Sequence, residues 1–111
     1  MNINPRFNYP PPVAKTLGFD LVEADDRKAT IEMVTDVEKH ANPMGTVHGG
    51  VLCDLADAAI GTAHATGLNE GESFTSTVSR YVCDILNSRG KLVAQVTSTV
   101  MTLRGKNASG R

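Results

Sequence analysis

The stretch from Asn42 to Gly67, NPMGTVHGGVLCDLADAAIGTAHATG, constrains this chain more than any other part of it. At 100° per residue from Val51, the residues Val51, Leu52, Leu55, Ala56, Ala58, Ala59, Thr62 and Ala63 fall on one broad apolar arc. Asp54, Asp57, Gly61 and His64 fall on the strip opposite. One amphipathic helix is predicted, and the rest of the chain has to cover its apolar side. Gly49 and Gly50 open it, where the first backbone N–H groups lack intrahelical acceptors and the positive end of the helix dipole points outward. Such an end receives an anion or a developing oxyanion. Gly67 can take the positive φ that stops the last turn.

The remaining segments are short and mostly β-like. Met1 to Pro12 carries four of the five prolines and reads as a leader. Val13 to Leu17 suits a helical turn. FDLVEA and RKATIEMVTD form a hairpin turning at Asp25-Asp26-Arg27, with Ala29, Ile31 and Met33 alternating with polar neighbours. Asp36 to Asn42 reads as a polar loop, and Pro43-Met44-Gly45 as the turn that delivers His48 to the helix mouth. After the helix, FTSTVSRYVCDIL is rich in β-branched and aromatic residues, Asn87 to Gly90 is a turn, and Lys91 to Arg104 a long last strand. Residues 105–111 read as a tail.

Bulk properties narrow the function. A chain of 111 residues is sized for a single domain over 1–111, and burying more surface by association would help it. A formal net charge of -1, from 11 basic and 12 acidic side chains, supplies no electrostatic footprint for nucleic acid or an anionic membrane. Cys53 and Cys83 form no CxxC, which suits free thiols in a reducing, cytoplasmic setting. No apolar run approaches the roughly 18 residues that span a bilayer.

Chemistry concentrates at the helix mouth. Taken singly, Gly49-Gly50 is an ordinary strand-to-helix turn and Asp57 an ordinary solvated carboxylate. Jointly, Asn42, a histidine six residues later at His48, the glycine pair behind it and an aspartate nine residues beyond the histidine make a much rarer pattern. NPMGTVHGGVLCDLADAAIG resembles the active-site segment of the PaaI-like (phenylacetate-pathway type) hotdog-fold acyl-CoA thioesterases. The similarity extends to PPVAKTLGFDLVEADD, GESFTST and RGKLVAQVTSTVMTLRG.

That resemblance implies an α+β hotdog fold, a long central helix wrapped by a curved antiparallel sheet, working as a homodimer or dimer of dimers without a cofactor or metal. It implies acyl-CoA as substrate, Asp57 as the catalytic carboxylate, Gly49 as oxyanion donor, Asn42 and His48 as orienting residues, and Gly50 and Thr75 at the substrate. The spacing makes its own demand. Gly49 and Asp57 are eight residues apart, roughly 12 Å along one straight helix, so one thioester carbonyl cannot meet both. The carboxylate must come from a second chain packed antiparallel, which a two-fold dimer provides twice.

The chain departs from the family between Thr75 and Val78. FTST runs straight into VSRYVCDIL, about 30 residues short of the family pattern, a length equal to two strands and their turns. The expected sheet is truncated there, and a non-catalytic acyl-CoA-binding or assembly module is the alternative. A metal hydrolase built on His40, His48, His64 and Asp54 or Asp57 is a weaker one, since their spacing matches no known ligand motif. His64 is expected on the surface near the helix end.

Overall fold

The structure, a computed structural model, describes residues 9–67 and 72–104, with side chains at 9–67 and 80–100. The elements are α1 (Pro12–Leu17), β1 (Phe19–Asp25), β2 (Lys28–Met33), α2 (Val37–His40), α3 (Gly49–Thr66), β3 (Glu72–Leu86) and β4 (Leu92–Arg104). It is an α+β arrangement in which α3 packs against all four antiparallel strands.

Proline begins α1, where its missing N–H would have had no acceptor, and Gly18 at φ 83° ends it by donating to the Ala14 carbonyl at 2.8 Å. β1 and β2 pair antiparallel through Asp26 and Arg27, at φ 50° and 59°. Two consecutive left-handed residues make the turn whose twist matches a hairpin. Arg27 is held in this conformation from outside: its N–H donates to Thr66 Oγ1 at 2.7 Å, and its guanidinium reaches the Gly67 carbonyl and the Tyr81 hydroxyl. Along β2 the exposure alternates as expected, with Ala29, Ile31 and Met33 inward and Thr30 and Glu32 outward.

The segment 36–42 is more ordered than a loop. Asp36 Oδ1 accepts the Glu38 N–H at 2.8 Å and caps α2. An acidic cap, Glu38 in the first turn and Lys39-His40 in the last are helix signals that the letters carried.

Among the described residues the strands do not join into one sheet. β1 pairs with β2 and β3 with β4, and these are two separate two-stranded sheets. Tyr81, Cys83 and Ile85 on β3 face inward opposite Ser98, Val96 and Ala94 of β4. The β3–β4 register breaks once near its start: Phe74 pairs with Thr102 but Val78 with Met101. The break spans Thr75 to Thr77, the stretch where a truncated sheet was expected.

Among the described residues the buried apolar side chains are Ala14, Phe19, Ala24, Val51, Ala56, Ile60, Ala63 and Ala65. The first half of α3 keeps the expected sidedness at Asp54 and Asp57, both exposed, while Cys53, read from the sequence as packing at the margin of the apolar arc, is exposed as well. The second half does not. Thr62 to Ala65 are buried in succession, and His64, expected at the surface, is fully enclosed. Tyr81 covers it, with its hydroxyl 2.7 Å from His64 Nδ1 and the rings edge to face at 5.4 Å. A helical wheel ranks faces but says nothing of an element that closes over one end.

Candidate functional site at the mouth of helix α3

His48 is the N-cap of α3, and its Nδ1 accepts the Gly50 N–H at 2.8 Å. The His48 carbonyl takes the N–H groups of Val51 at 3.0 Å and Leu52 at 3.3 Å. Among the described residues no acceptor takes up the Gly49 N–H. The cap therefore sorts the first-turn donors: Gly50 and Val51 are used inside the chain, and Gly49 is left for something outside it. Gly50, expected at the substrate, spends its N–H on His48. An imidazole Nδ1 that accepts must carry its proton on Nε2 when neutral, which makes Nε2–H a second donor on an exposed side chain.

Asn42 holds the loop in front of this mouth. Its Oδ1 accepts from the N–H groups of Met44 at 3.0 Å and Thr46 at 3.1 Å, its own N–H donates to the Thr46 carbonyl at 2.7 Å, and Gly45 at φ 82° donates back to its carbonyl at 2.9 Å. Asn42 Nδ2 adds a bond to Thr46 Oγ1 at 2.8 Å. The turn Asn87 to Lys91 repeats this arrangement. Asn87 Oδ1 accepts from Arg89 at 2.9 Å and Lys91 at 3.0 Å, and Gly90 at φ 78° donates to the Asn87 carbonyl. NPMG and NSRG are the same N-x-x-G loop, used at the mouth and at a plain hairpin. Asn42 thus acts on the mouth through the backbone it folds, with its side-chain polar atoms already engaged.

The loop is anchored below by His40, which is buried. Its Nδ1 accepts the Asp36 N–H at 2.9 Å and its Nε2 bonds the Leu17 carbonyl at 2.6 Å, so the proton is on Nε2. Its backbone carbonyl accepts the His48 N–H at 2.7 Å. One buried imidazole connects α1, α2 and the residue that caps α3. Sequence reasoning gave His40 no role in this; its position four residues after an N-cap aspartate was the available signal.

Asp57 lies two turns along α3 on the exposed strip, one turn beyond Asp54, and no described side chain bonds either carboxylate. Within one chain the mouth and Asp57 stay apart. Thr75 lies on β3 in the segment where the register breaks, and its side chain is outside the described residues. His40 and His64 are both committed to internal hydrogen bonds, and among the described residues no three His, Cys, Asp or Glu side chains converge as metal ligands would. Burial and the neighbouring Asp84 charge push the Cys83 thiol up, away from a reactive thiolate; Cys53 is exposed.

A cleft of about 880 Å³ adjoins the mouth, bounded by Thr46, Val47 and Leu52 at that end. Its floor is Leu52, Leu55 and Ala59 of α3, and its walls are residues 29–33 of β2 and 83–86 of β3.

No known protein family, curated protein or solved structure matches this chain. Among the described residues no helix is long and apolar enough to cross a membrane.

Proposed function

We propose that this chain is a hotdog-type acyl-CoA thioesterase of the PaaI-like kind, hydrolysing the thioester of an acyl- or aryl-acyl-CoA and acting as a homodimer or dimer of dimers. The observation that carries the reading is the sorted helix mouth: a cap that consumes the Gly50 N–H and leaves Gly49 N–H pointing out of a helix N-terminus. A hydrogen-bond donor of that kind stabilises charge developing on a thioester oxygen, and the helix dipole adds to it.

The reaction needs two further things. A carboxylate must attack the carbonyl or take a proton from water, and Asp57 of the partner subunit, carried on an exposed helix face, is the group that a two-fold axis would bring to the Gly49 mouth. In either role it must be ionised. Where Asp57 activates water, the tetrahedral centre collapses with C–S cleavage, the sulfur of CoA takes up the proton and the acid carries the oxygen of water; where Asp57 attacks, C–S cleavage leaves a mixed anhydride on Asp57, and water then hydrolyses it to release the acid and restore the carboxylate.

The split sheet favours a second reading, a hotdog module that binds acyl-CoA without turning it over, because separate hairpins give the pocket fewer walls. Free CoA release, followed with a thiol reagent, separates the two. Asp57→Asn should lower kcat at least about 10²-fold with the dimer intact, and Asp54→Asn, about 60° away around the helix, should not. If Asp57→Asn keeps full rate, the thioesterase mechanism fails. If wild type binds acyl-CoA but releases no CoA, the binding module takes its place.

A further inference from the structure

The cleft over α3 runs between two strand edges. Side chains alternate along a strand, so a cleft that meets a strand's face is lined by every second residue. Here five successive residues of β2, 29–33, and four of β3, 83–86, line it. Among the described residues β2 pairs only with β1 and β3 only with β4, so the backbone on each bank has N–H and C=O groups without a strand partner. The floor between the banks is Leu52, Leu55 and Ala59 of α3, and Ile31, Met33 and Ile85 face inward beside it. One strand as long as residues 29–33, about 13 Å, occupies about 600 Å³ at spacings of about 4.8 Å within a sheet and about 10 Å between layers, and two occupy about 1,200 Å³. A cleft of about 880 Å³ therefore takes one strand and not two.

The outer surface beside the cleft sets what such a strand must carry. Asp20 and Glu32 stand opposite each other across the β1–β2 ladder, both exposed, and Glu23, opposite Thr30, is exposed as well. On the other bank Asp84 is exposed, its carboxylate accepting from the neutral Gln95 amide at 2.8 Å. Like charges opposite each other on a sheet repel, and cations placed between these banks would offset that. An inserted strand turns alternate side chains toward α3 and toward this outer surface. We propose that the cleft is a docking groove for an extended peptide of a partner protein, with apolar side chains toward Leu52, Leu55 and Ala59 and lysine or arginine at the positions between, which joins β2 and β3 into one sheet. A second copy of this chain fits the groove less well, because its own strands with a free edge, β2 and β3, would bring Glu32 or Asp84 to the same carboxylates. An acyl chain has no amides and would leave both edges desolvated and unpaired.

The probe is the capped heptapeptide KVKVKVK, with EVEVEVE as its reverse in charge, titrated into the wild-type protein and followed by calorimetry and by backbone amide shifts. The lysine peptide should bind at least about 10-fold tighter than the glutamate peptide at low salt, lose most of that advantage at high salt, and shift amides of both 29–33 and 83–86. Successive N–H groups of a strand point to opposite sides, so N-methylating the valines blocks pairing on one bank and N-methylating the lysines blocks it on the other; each should weaken binding at least about 10-fold. Glu32→Lys combined with Asp84→Lys, both on the exposed outer surface, should invert the preference so that EVEVEVE binds the tighter. Equal binding of the two peptides, an N-methylated form as tight as its parent, or shifts confined to one bank would overturn the groove. Amide shifts at both banks that grow with the concentration of the protein alone would give the cleft to a second copy, and shifts there from an S-alkyl CoA but not from KVKVKVK would give it to an acyl chain; either result overturns the peptide. None of these readouts involves turnover, so the groove and the thioesterase reading stand or fall separately.

Discussion

Replacing Tyr81 by Phe should destabilise the protein by about 2 kcal/mol, nearly all of it through His64. The hydroxyl serves two groups: it lies 2.7 Å from His64 Nδ1 and accepts from Arg27 Nη1 at 3.3 Å. A guanidinium only donates, so the hydroxyl oxygen accepts from Arg27; toward His64 Nδ1 the hydroxyl donates when the imidazole proton is on Nε2 and accepts when it is on Nδ1. The two losses are unequal. Arg27 is exposed, and water replaces its partner at little cost. His64 has no exposed surface, so Nδ1 would lose its Tyr81 hydrogen bond in a buried position, which costs about 1–3 kcal/mol. Phenylalanine keeps the edge-to-face ring contact, so the packing term largely cancels. With a urea m-value near 1.5 kcal/mol/M, the midpoint should fall by about 1.3 M. Arg27→Met should move it by less than about a third of that. A Tyr81→Phe midpoint within about 0.2 M of wild type, or an Arg27→Met shift equal to it, would refute the reasoning.

Other outcomes follow from the same geometry. Asn42→Ala and Asn87→Ala should each cost about 1–2 kcal/mol, read from urea midpoints, because they empty the same loop, yet only Asn42→Ala should also slow CoA release. Gly49→Ala meets no atom within 4 Å, so it should keep or slightly raise stability while lowering kcat about 10²-fold. Gly50→Ala places its Cβ 3.0 Å from His48 Nδ1, so it should loosen the cap and lower the thermal midpoint. Alkylation with iodoacetamide near pH 8, located by mass spectrometry, should label Cys53 well before Cys83. The Cys83 thiol holds its proton better folded than unfolded. Its contribution is intact below the ordinary thiol range and is lost as pH rises through the raised value, and Tyr9, shifted the same way by burial and Asp20, extends the decline at higher pH.

Features set by neighbours in the chain were legible in advance. The period-2 pattern of β2, the hairpin at Asp26-Arg27, the N-x-x-G turns and the start of α3 follow from local dihedral preferences and alternation. So did the leftover donor at Gly49, because a helix N-terminus has more N–H groups than one cap can use. What was not legible depends on pairs far apart. His64 is buried by Tyr81, 17 residues on, and the Arg27 turn is clamped by Thr66, 39 residues on. The division into two sheets depends on which edges meet, and alternation alone does not encode that. Val22 sits at a bulge opposite the Leu21–Ile31 and Glu23–Thr30 pairs, so Ala24 rather than Glu23 faces the core.

The break in the β3–β4 register bears on how this chain can tolerate changes in its length. From Phe74 to Val78, β3 advances four residues while β4 advances one, from Thr102 to Met101, and the pairing is in step on both sides. The residues between act as slack. Removing all three would bring Phe74 next to Val78 opposite Thr102 and Met101, a continuous ladder, and adding more would lengthen a loop whose closure entropy grows only with the logarithm of its size. This position is therefore a splice point. Material can be taken out or put in there while Tyr81 stays over His64 and the Asn87 turn keeps its place.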